Sequence, residues 1–171
     1  MEEVEIIDGT QSHIAEAAQI WAEATAARDG LPQTGQIDTS WRMIHELIGG
    51  SARSLLLVAI AADGTCVGFV AVAPVSVEEP DLADVHYVGA LPALWAGGIG
   101  RQLMQELPER LRSAGYLGAQ LVVYVDNVRA VQLFEHLGWQ PRKRRPSCGD
   151  GPVRAALPAV VVSSADTRRS R

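Results

Sequence analysis

The segment with the clearest chemical pattern is LPALWAGGIGRQL, Leu91–Leu103, in which three glycines fall within four residues. An apolar repeat of helical spacing follows directly, so Gly97, Gly98 and Gly100 stand where a helix begins. The first turn of a helix has unpaired N–H groups and about half a positive charge from the macrodipole, and it binds phosphate when the ligand can come close. Glycine allows that approach and also tolerates a positive φ. The segment therefore predicts that the amides of residues 96–101 bind a phosphate or diphosphate.

Two common phosphate loops are excluded by the residues around these glycines. The segment has no Gly-Lys-Ser/Thr of a triphosphate loop, and the dinucleotide fingerprint needs a glycine where Leu103 stands. Arg101, just inside the predicted helix, is expected to add a charge-assisted contact to the anion. An alternative stays open, in which the glycines only permit close packing of the helix against a strand.

A second pair of chemical groups, Asp84 and His86, lies in the strand-like run LADVHYVGAL. Because side chains alternate along a strand, both are expected on one face, where either is a candidate base. In the alternative interpretation, Asp84 begins the strand in solvent and His86 is a hydrogen-bonded core or rim histidine. His13, His45 and His136 fall on predicted helices without the spacing of metal ligands, so no metal site is predicted.

The charge of the chain is divided unevenly. The net charge is −5, but residues 142–171 carry eight of the fifteen Lys and Arg residues and only two acids, a net of +6, which leaves −11 for residues 1–141. An acidic body is a poor partner for nucleic acid, because affinity for a phosphate backbone comes largely from Lys and Arg. It suits a small cationic partner, although solubility alone explains the acidity equally well.

Length and composition indicate one ordered domain. A chain of 171 residues with 47% hydrophobic residues is expected to form a single core, which we assign to residues 1–165, followed by a flexible basic tail, 166–171. No apolar run approaches the roughly 20 residues that cross a membrane. The acidic start MEEVEIIDGT and the presence of only two cysteines, Cys66 and Cys148, favour a cytoplasmic protein without a disulfide framework.

Periodicity predicts the elements that position these residues. Their order is strand, two helices, hairpin, strand, helix, strand, helix, strand, which indicates an α/β or α+β domain with a mixed sheet. Ser12 is expected to cap the first helix and Gly30 to end it, and Asp38 or Thr39 to cap the second. The second helix has an apolar stripe of three residues: Trp41, Ile44 and Ile48.

Turn residues and apolar runs define the other elements. Asp63-Gly64 between two β-branched runs predicts a hairpin. A helix is predicted over 98–114, and Pro108 within it is expected to kink or restart it. GAQLVVYV predicts a buried strand, DNVRAVQLFEHLG a helix that Gly138 ends, and ALPAVVVSS a last strand. The stripe of the helix over 98–114 has four members: Ile99, Leu103, Leu107 and Leu111.

Two motifs in this order resemble the GNAT superfamily of acyl-CoA-dependent N-acyltransferases. The first is the family's form Pro-x-x-Trp-Gly-x-Gly-Ile-Gly, which the run LPALWAGGIG matches at five positions. The second, about 27 residues on, is VYVDNVRAVQLFEHLGWQP, which is similar to the family's Asp-Asn-x-x-Ala-x-x-Phe-Tyr-Glu-x-x-Gly-Phe/Trp segment. The resemblance rests on these motifs over 83–141 and on the order of elements over 4–76, and it is weak after 142. The positions matched by the first motif are Pro92, Trp95, Gly98, Ile99 and Gly100.

The resemblance implies a mixed, mostly antiparallel sheet of about seven strands, splayed between the fourth and fifth and flanked by about four helices. Acetyl-CoA would lie with its pantetheine arm in the splay and its pyrophosphate on the amides from Ala96 to Arg101. A bulge near Gly89–Leu91 would let the backbone pair with the arm, and the backbone near Ala90 and Leu91 would face the thioester carbonyl. Asn127 would hydrogen-bond the arm, and it is also a candidate N-cap of the following helix.

The sequence departs from the family pattern at two places. Trp95 stands where the family has Arg or Gln, and Ala96-Gly97 replaces its Gly-Lys/Arg, so a basic side chain is missing from the pyrophosphate turn. Phe134 stands where the family often has a tyrosine that protonates the departing thiolate. Either water or another group such as Tyr124 takes that role, or the thiolate leaves unprotonated, which a thiol pKa near 8.5 permits.

The resemblance also implies an activity. Asp84 lies where GNAT enzymes often carry a glutamate base, and His86 is the second candidate. The expected function is N-acetyl transfer from acetyl-CoA to a primary amine of a small, cationic acceptor by direct attack. The alternative is an acyl-CoA-binding sensor or interaction module without turnover, to which Phe134 and the missing Arg/Gln point. A homodimer is possible because many members of the family are dimers, and nothing in the sequence decides it.

Overall fold

The computed structural model describes residues 3–30, 36–124, 127–140 and, as backbone only, 156–163. A short 3-10 helix, Pro92–Gly97, joins the fourth strand to the third helix. The predicted order of elements is confirmed, while the tail 166–171 lies outside the described residues and the single domain over 1–165 stays a prediction. The strands and helices are β1 Glu5–Asp8, α1 Ile14–Asp29, α2 Ile37–Gly49, β2 Leu55–Ile60, β3 Cys66–Pro74, β4 Leu82–Ala90, α3 Ile99–Ser113, β5 Gly118–Tyr124, α4 Val128–His136 and β6 Ala156–Ser163.

The strands form one sheet in the order of the sequence, from β1 to β6. Neighbouring strands are antiparallel except β4 and β5, which are parallel. The expected mixed, mostly antiparallel sheet is thus confirmed. The described residues contribute six strands, where the resemblance implied about seven.

The two central strands β4 and β5 separate part-way along their length. Their pairing runs from Leu82 opposite Gly118 to Val85 opposite Leu121 and then stops, although β4 continues to Ala90. Beyond Val85 the sheet is open between its fourth and fifth strands, which confirms the splay that the resemblance implied. An open strand edge is a place where an extended ligand can pair with the backbone.

Helices cover both faces of the sheet. On one face lies α3, whose four predicted stripe residues are all buried. On the other face lie α1 and α2, where Ile20 and Ile44 share a core with Phe69 of β3. The close approach of α3 depends on Gly68 of β3, because a Cβ there would lie 2.6 Å from the Cγ2 atom of Ile99.

Strand β4 has a bulge at His86. Val85 lies opposite Val72 and Tyr87 lies opposite Ala71, so two steps along β4 match one step along β3. The extra residue leaves His86 without a partner in the ladder and reverses the alternation of the later side chains.

The bulge decides which face each later residue of β4 reaches. Tyr87 packs on the core under α1 and α2, whereas Val88 packs on the core under α3. The bulge implied near Gly89–Leu91 lies at His86 instead, since the pairing with β3 is regular from Tyr87 to Ala90 opposite Gly68.

The helix ends differ in part from the prediction. Helix α1 begins after His13, and Ser12 bonds the imidazole Nδ1 atom of His13 at 2.7 Å, so Ser12 as the N-cap is wrong. Gly30 ends α1 with φ 66°, as predicted. Helix α2 begins after Gln36, so the two predicted caps, Asp38 and Thr39, lie inside its first turn.

One residue of the α2 stripe is also placed differently. Ile44 and Ile48 are buried, but Trp41 is 42% exposed and stacks on His45, with the ring centroids 4.4 Å apart. The helical period brings Trp41 near the edge of the apolar face, and stacking on a neighbouring ring covers it there.

The remaining local predictions hold with one exception. Helix α3 continues through Pro108, so a restart there is wrong; the buried Leu107 and Leu111 on either side offset the missing hydrogen bond. The hairpin turns at Gly64 with φ 86°, and Gly138 follows α4 with φ 85°, as expected.

Candidate active site

The turn before α3 presents bare backbone to solvent. Gly98, its N-cap, has φ 76°, in the left-handed region that favours glycine. Among the described residues, a Cβ on Gly97 would have no atom within 4 Å, and one on Gly100 would meet only Leu133 Cδ2, at 3.8 Å. Packing therefore does not require glycine at 97 or 100. The close helix–strand packing of the alternative interpretation is supplied by Gly68 instead.

The first amide groups of α3 precede the hydrogen bonds of the helix. The first hydrogen bond of this helix runs from the N–H of Gln102 to the carbonyl of Gly98, at 3.0 Å. The N–H groups of Ile99, Gly100 and Arg101 precede that bond and have no acceptor in the preceding helical turn. Ile99 is 1% exposed and anchors the turn in the core, which fixes the direction of these amides. Ala96 and Arg101 are exposed beside them.

The backbone of β4 faces the splay at alternate residues. The N–H of Leu91 donates to the carbonyl of Val67 on β3, at 3.0 Å. Bonded and non-bonded pairs alternate along an antiparallel ladder, so Val88 and Ala90 direct their N–H and C=O groups away from β3, toward the open side. The expectation that Leu91 also faces the thioester does not hold for its N–H, because β3 binds it. The sequence alone did not identify Val88 as a residue that faces the opening, because the direction of its backbone groups depends on the register of β4 with β3.

Trp95 replaces the family's Arg or Gln and has a structural partner. Its indole Nε1–H donates to the carbonyl of Ala90, at 2.9 Å. The bond holds the 3-10 helix against the end of β4. It also occupies the Ala90 carbonyl, so the N–H of Ala90 and both backbone groups of Val88 remain for a ligand in the splay.

Asp84 and His86 meet at the closed end of the splay. Nε2 of His86 lies 3.4 Å from Oδ2 of Asp84, which confirms that the two side chains share a face. Asp84 lies opposite Gln120 of β5, one residue before the last parallel pair. Burial raises the pKa of the Asp84 carboxyl above its usual range, and the nearby His86 partly offsets the effect. A carboxylate with a raised pKa is a stronger proton acceptor.

Two aromatic rings lie beside this pair. The ring centroid of Tyr87 is 6.0 Å from that of His86 and 5.1 Å from that of Trp21 on α1. Burial raises the pKa of the Tyr87 phenol, so its hydroxyl is neutral at physiological pH. Strand alternation alone does not predict this contact, because only the bulge at His86 turns Tyr87 toward α1.

A sequence model of the acetyltransferase (GNAT) family matches residues 18–139. The chain belongs to this family. The match includes β4, the glycine turn and α4, and it confirms the expected class, an acyl-CoA-dependent acyltransferase.

Solved GNAT structures have the same fold. The GCN5-related N-acetyltransferase from Kribbella flavida is 18% identical, with a TM-score of 0.72 over 94% of this chain and 97% of that one. The PaiA N-acetyltransferase from Thermoplasma acidophilum, in complex with coenzyme A, is 17% identical, with a TM-score of 0.69 over 94% and 99%. A GNAT family acetyltransferase from Brucella melitensis, in complex with acetyl-CoA, is 23% identical, with a TM-score of 0.64 over 92% and 96%. At these identities the likeness concerns the fold.

Among curated protein sequences, none matches this chain. In the parts of the chain that the structure describes, no helix has the length and apolar character needed to cross a membrane. The cytoplasmic location and the homodimer stay predictions.

The structure describes part of the second GNAT motif. The side-chain oxygen of Asn127 accepts a hydrogen bond from the N–H of Ala130 at 3.3 Å, so the N-cap role is confirmed, and contact with the pantetheine arm stays a prediction. Phe134 is 7% exposed and lies against Trp139, with the centroids 6.1 Å apart, so its ring is part of the core. Tyr124 ends β5, and its side chain lies outside the described part of the chain.

The other histidines have local partners. His13 bonds Ser12, His45 stacks on Trp41, and a ring nitrogen of His136 lies 2.7 Å from the carbonyl oxygen of Gln132. No cluster of three or more His, Cys, Asp and Glu side chains that could hold a metal ion occurs within the described ranges.

Proposed function

We propose that this GNAT protein transfers the acetyl group of acetyl-CoA to a primary amine of a small cationic acceptor by direct attack. The observation that carries the proposal is the opening between β4 and β5. The Asp84–His86 pair lies at its closed end, the free backbone groups of Val88 and Ala90 line its side, and the glycine turn lies beyond. A base, an extended binding edge and an anion-binding turn thus follow one another along a single strand.

The residues present fit acetyl-CoA. The N–H groups of Ile99, Gly100 and Arg101 would hold the diphosphate, and the open space beside Gly97 and Gly100 leaves room for it. The carbonyl of Val88 and the N–H of Ala90 would pair with the amides of the pantetheine arm as a neighbouring strand does. Acetyl-CoA, when bound, supplies a thioester that an amine can attack. The N–H of Val88, which also faces the splay and lies nearer the Asp84–His86 pair than Ala90 does, would stabilise negative charge on the thioester oxygen.

The base proposed for this reaction is Asp84. Alkyl amines have a pKa of about 10, so the acceptor arrives protonated at neutral pH and must lose a proton before attack. The raised pKa of Asp84 makes Oδ2 a suitable acceptor for that proton, directly or through one water. His86, at 3.4 Å, is placed to take the proton from Asp84 and pass it to solvent, since its side chain is 35% exposed.

The departing thiolate needs no acid from Phe134. A thiol pKa near 8.5 makes the thiolate a stable leaving group close to neutral pH. The Phe134 side chain has no proton to donate, and it is buried against Trp139. Tyr124 remains the proposed donor from β5, with direct loss of the thiolate as the alternative.

The cationic character of the acceptor rests on the surroundings of Asp84. The carboxylate lies beside His86, the ring of Tyr87 lies 6.0 Å from that of His86, and Trp21 lies 5.1 Å beyond Tyr87. Aromatic faces attract a cation by about 0.5–2 kcal/mol. The net charge of −11 over residues 1–141 has the same effect at long range. Asp81 contributes little, because its carboxylate pairs with Arg53 at 2.9 Å.

The test is release of free thiol from acetyl-CoA in the presence of a panel of primary amines. Each diamine is compared with the amino acid of the same chain length, so that size is matched and net charge differs. We expect release above background and a higher kcat/KM for the diamine. A preference for the amino acid would contradict the cationic acceptor. Binding of acetyl-CoA without thiol release for any amine would favour the binding-module alternative.

A further inference from the structure

A chain of two hydrogen bonds crosses the mouth of the splay. Nη2 of Arg129, on α4, donates to the carbonyl of Trp95 at 2.7 Å. The indole of Trp95 donates in turn to the carbonyl of Ala90 on β4, at 2.9 Å. Because α4 follows β5, the bonds connect the two sides of the opening through the 3-10 helix. The guanidinium group of Arg129 is therefore held one residue before Ala96 and the glycine turn.

Packing places the same face of α4 against the start of α3. Leu133 lies four residues after Arg129, so the two side chains share a face of the helix. Cδ2 of Leu133 lies 3.8 Å from the position of a Cβ on Gly100. Arg129 and the bare amides of the turn thus border the same space.

In the part of the chain that the structure describes, Arg129 has no carboxylate partner, in contrast to most of the arginines there. Seven arginines lie in the described part of the chain. Four of them lie within 4.0 Å of a carboxylate: Arg28, Arg53, Arg110 and Arg112. Within the described ranges, Arg42, Arg101 and Arg129 have no such neighbour. Two of these three, Arg101 and Arg129, flank the glycine turn, in a body whose net charge is −11.

We propose that Arg129 binds the diphosphate of the acyl-CoA substrate and so replaces the basic side chain that the turn lacks at Trp95 and Gly97. The inference rests on the proposed function, since it concerns the same substrate. A guanidinium group has five N–H donors in a planar fork. One of them is bonded to the Trp95 carbonyl, which fixes the orientation of the fork and leaves the others for phosphate oxygens.

The experiment measures the binding of CoA, dephospho-CoA and pantetheine to wild type and to Arg129→Gln, by calorimetry for the nucleotides and by competition for pantetheine. A charge-assisted bond to phosphate corresponds to a change of about tenfold in Kd. We expect Kd to rise about tenfold for both CoA and dephospho-CoA and to stay unchanged for pantetheine, which has no diphosphate. Arg129→Lys should raise these two Kd values by a smaller factor, because lysine keeps the charge but lacks the planar fork of N–H donors. The matched control is Arg42→Gln on α2, which removes the same charge and should leave all three affinities unchanged.

The outcomes separate the alternatives. A fall in pantetheine affinity would mean that Arg129 only holds the 3-10 helix in place, and a loss confined to CoA would place the contact on the ribose phosphate; either result overturns the inference. If wild type binds CoA and Arg129→Gln binds it equally well, the inference fails while the proposed function stands. If wild type binds no CoA, the proposed function itself fails.

Discussion

Replacement of Gly100 by alanine should change fold stability and ligand affinity in opposite directions. The added Cβ would meet only Leu133, at 3.8 Å, which is ordinary van der Waals contact, and the φ of Gly100 lies outside the left-handed region. The substitution therefore introduces no strain into the free protein. Glycine within a helix is less favourable than alanine by about 0.5–1 kcal/mol, so the free energy of unfolding should rise by about 0.5 kcal/mol near the helix end.

The same methyl group stands where the proposed diphosphate must approach. A hydrogen bond to a charged group contributes about 1.5–3 kcal/mol. Each 1.4 kcal/mol is a factor of ten, so the loss of one amide–phosphate contact should raise the Kd for acetyl-CoA about tenfold to hundredfold. Gly100→Val, with a larger side chain, should raise it further.

Chemical denaturation measures the stability and calorimetry measures the Kd for acetyl-CoA. Gly98→Ala is the contrasting variant, because φ 76° puts a Cβ into strain of about 1–2 kcal/mol and its stability should fall. If Gly100→Ala lost stability while its folded fraction kept full affinity, the glycine would serve packing, and the diphosphate site on these amides would be refuted.

Three further substitutions test the rest of the site. Asp84→Asn should abolish the rise in turnover that occurs as pH increases through the raised pKa of Asp84; an unchanged pH–rate profile would exclude it as the base. The folded state holds the carboxyl proton of Asp84 more tightly than the unfolded state does, so Asp84 contributes stability at acid pH that is lost as pH rises through its folded pKa. Asp84→Asn should therefore be more stable than wild type at neutral pH, which thermal unfolding measures. Gly68→Ala should cost about 1–3 kcal/mol, because its Cβ would lie 2.6 Å from Ile99 Cγ2; full stability in urea would contradict the close packing of α3. Asn127→Ala should lower the free energy of unfolding by about 1 kcal/mol, because the helix cap is lost. Asn127→Asp keeps the bond to Ala130 but loses the amide donor. If Asn127→Asp and wild type bound CoA equally well, the role of Asn127 would be limited to capping α4.

Local patterns predicted the elements that carry the site. The stripe of α3 is fully buried as its spacing indicates, and the turn at Gly64 joins β2 to β3 as Asp63-Gly64 predicts. Where a prediction depended on the environment of a side chain, it was less accurate. Trp41 has the spacing of a buried residue but is 42% exposed, because the apolar face of α2 ends beside it.

The candidate site was predicted in its residue types and only partly in its geometry. Asp84 and His86 share a face as alternation predicts, even though the strand has its bulge at His86 and not near Gly89–Leu91. The bulge turns Tyr87 toward Trp21, and the ladder with β3 occupies the N–H of Leu91. Neither result can be read from β4 alone, because both depend on its register with β3.

The sequence by itself determined the order of the strands and helices, the glycine turn before α3 and the family, because helical and strand periods, turn residues and a short motif are all properties of adjacent residues. Only the tertiary structure decided where β4 leaves β5, which backbone groups face the gap, and that Arg129 reaches Trp95 across it. These features join residues from separate elements. Their positions follow from strand register and from the packing of α3 and α4, which no local pattern specifies.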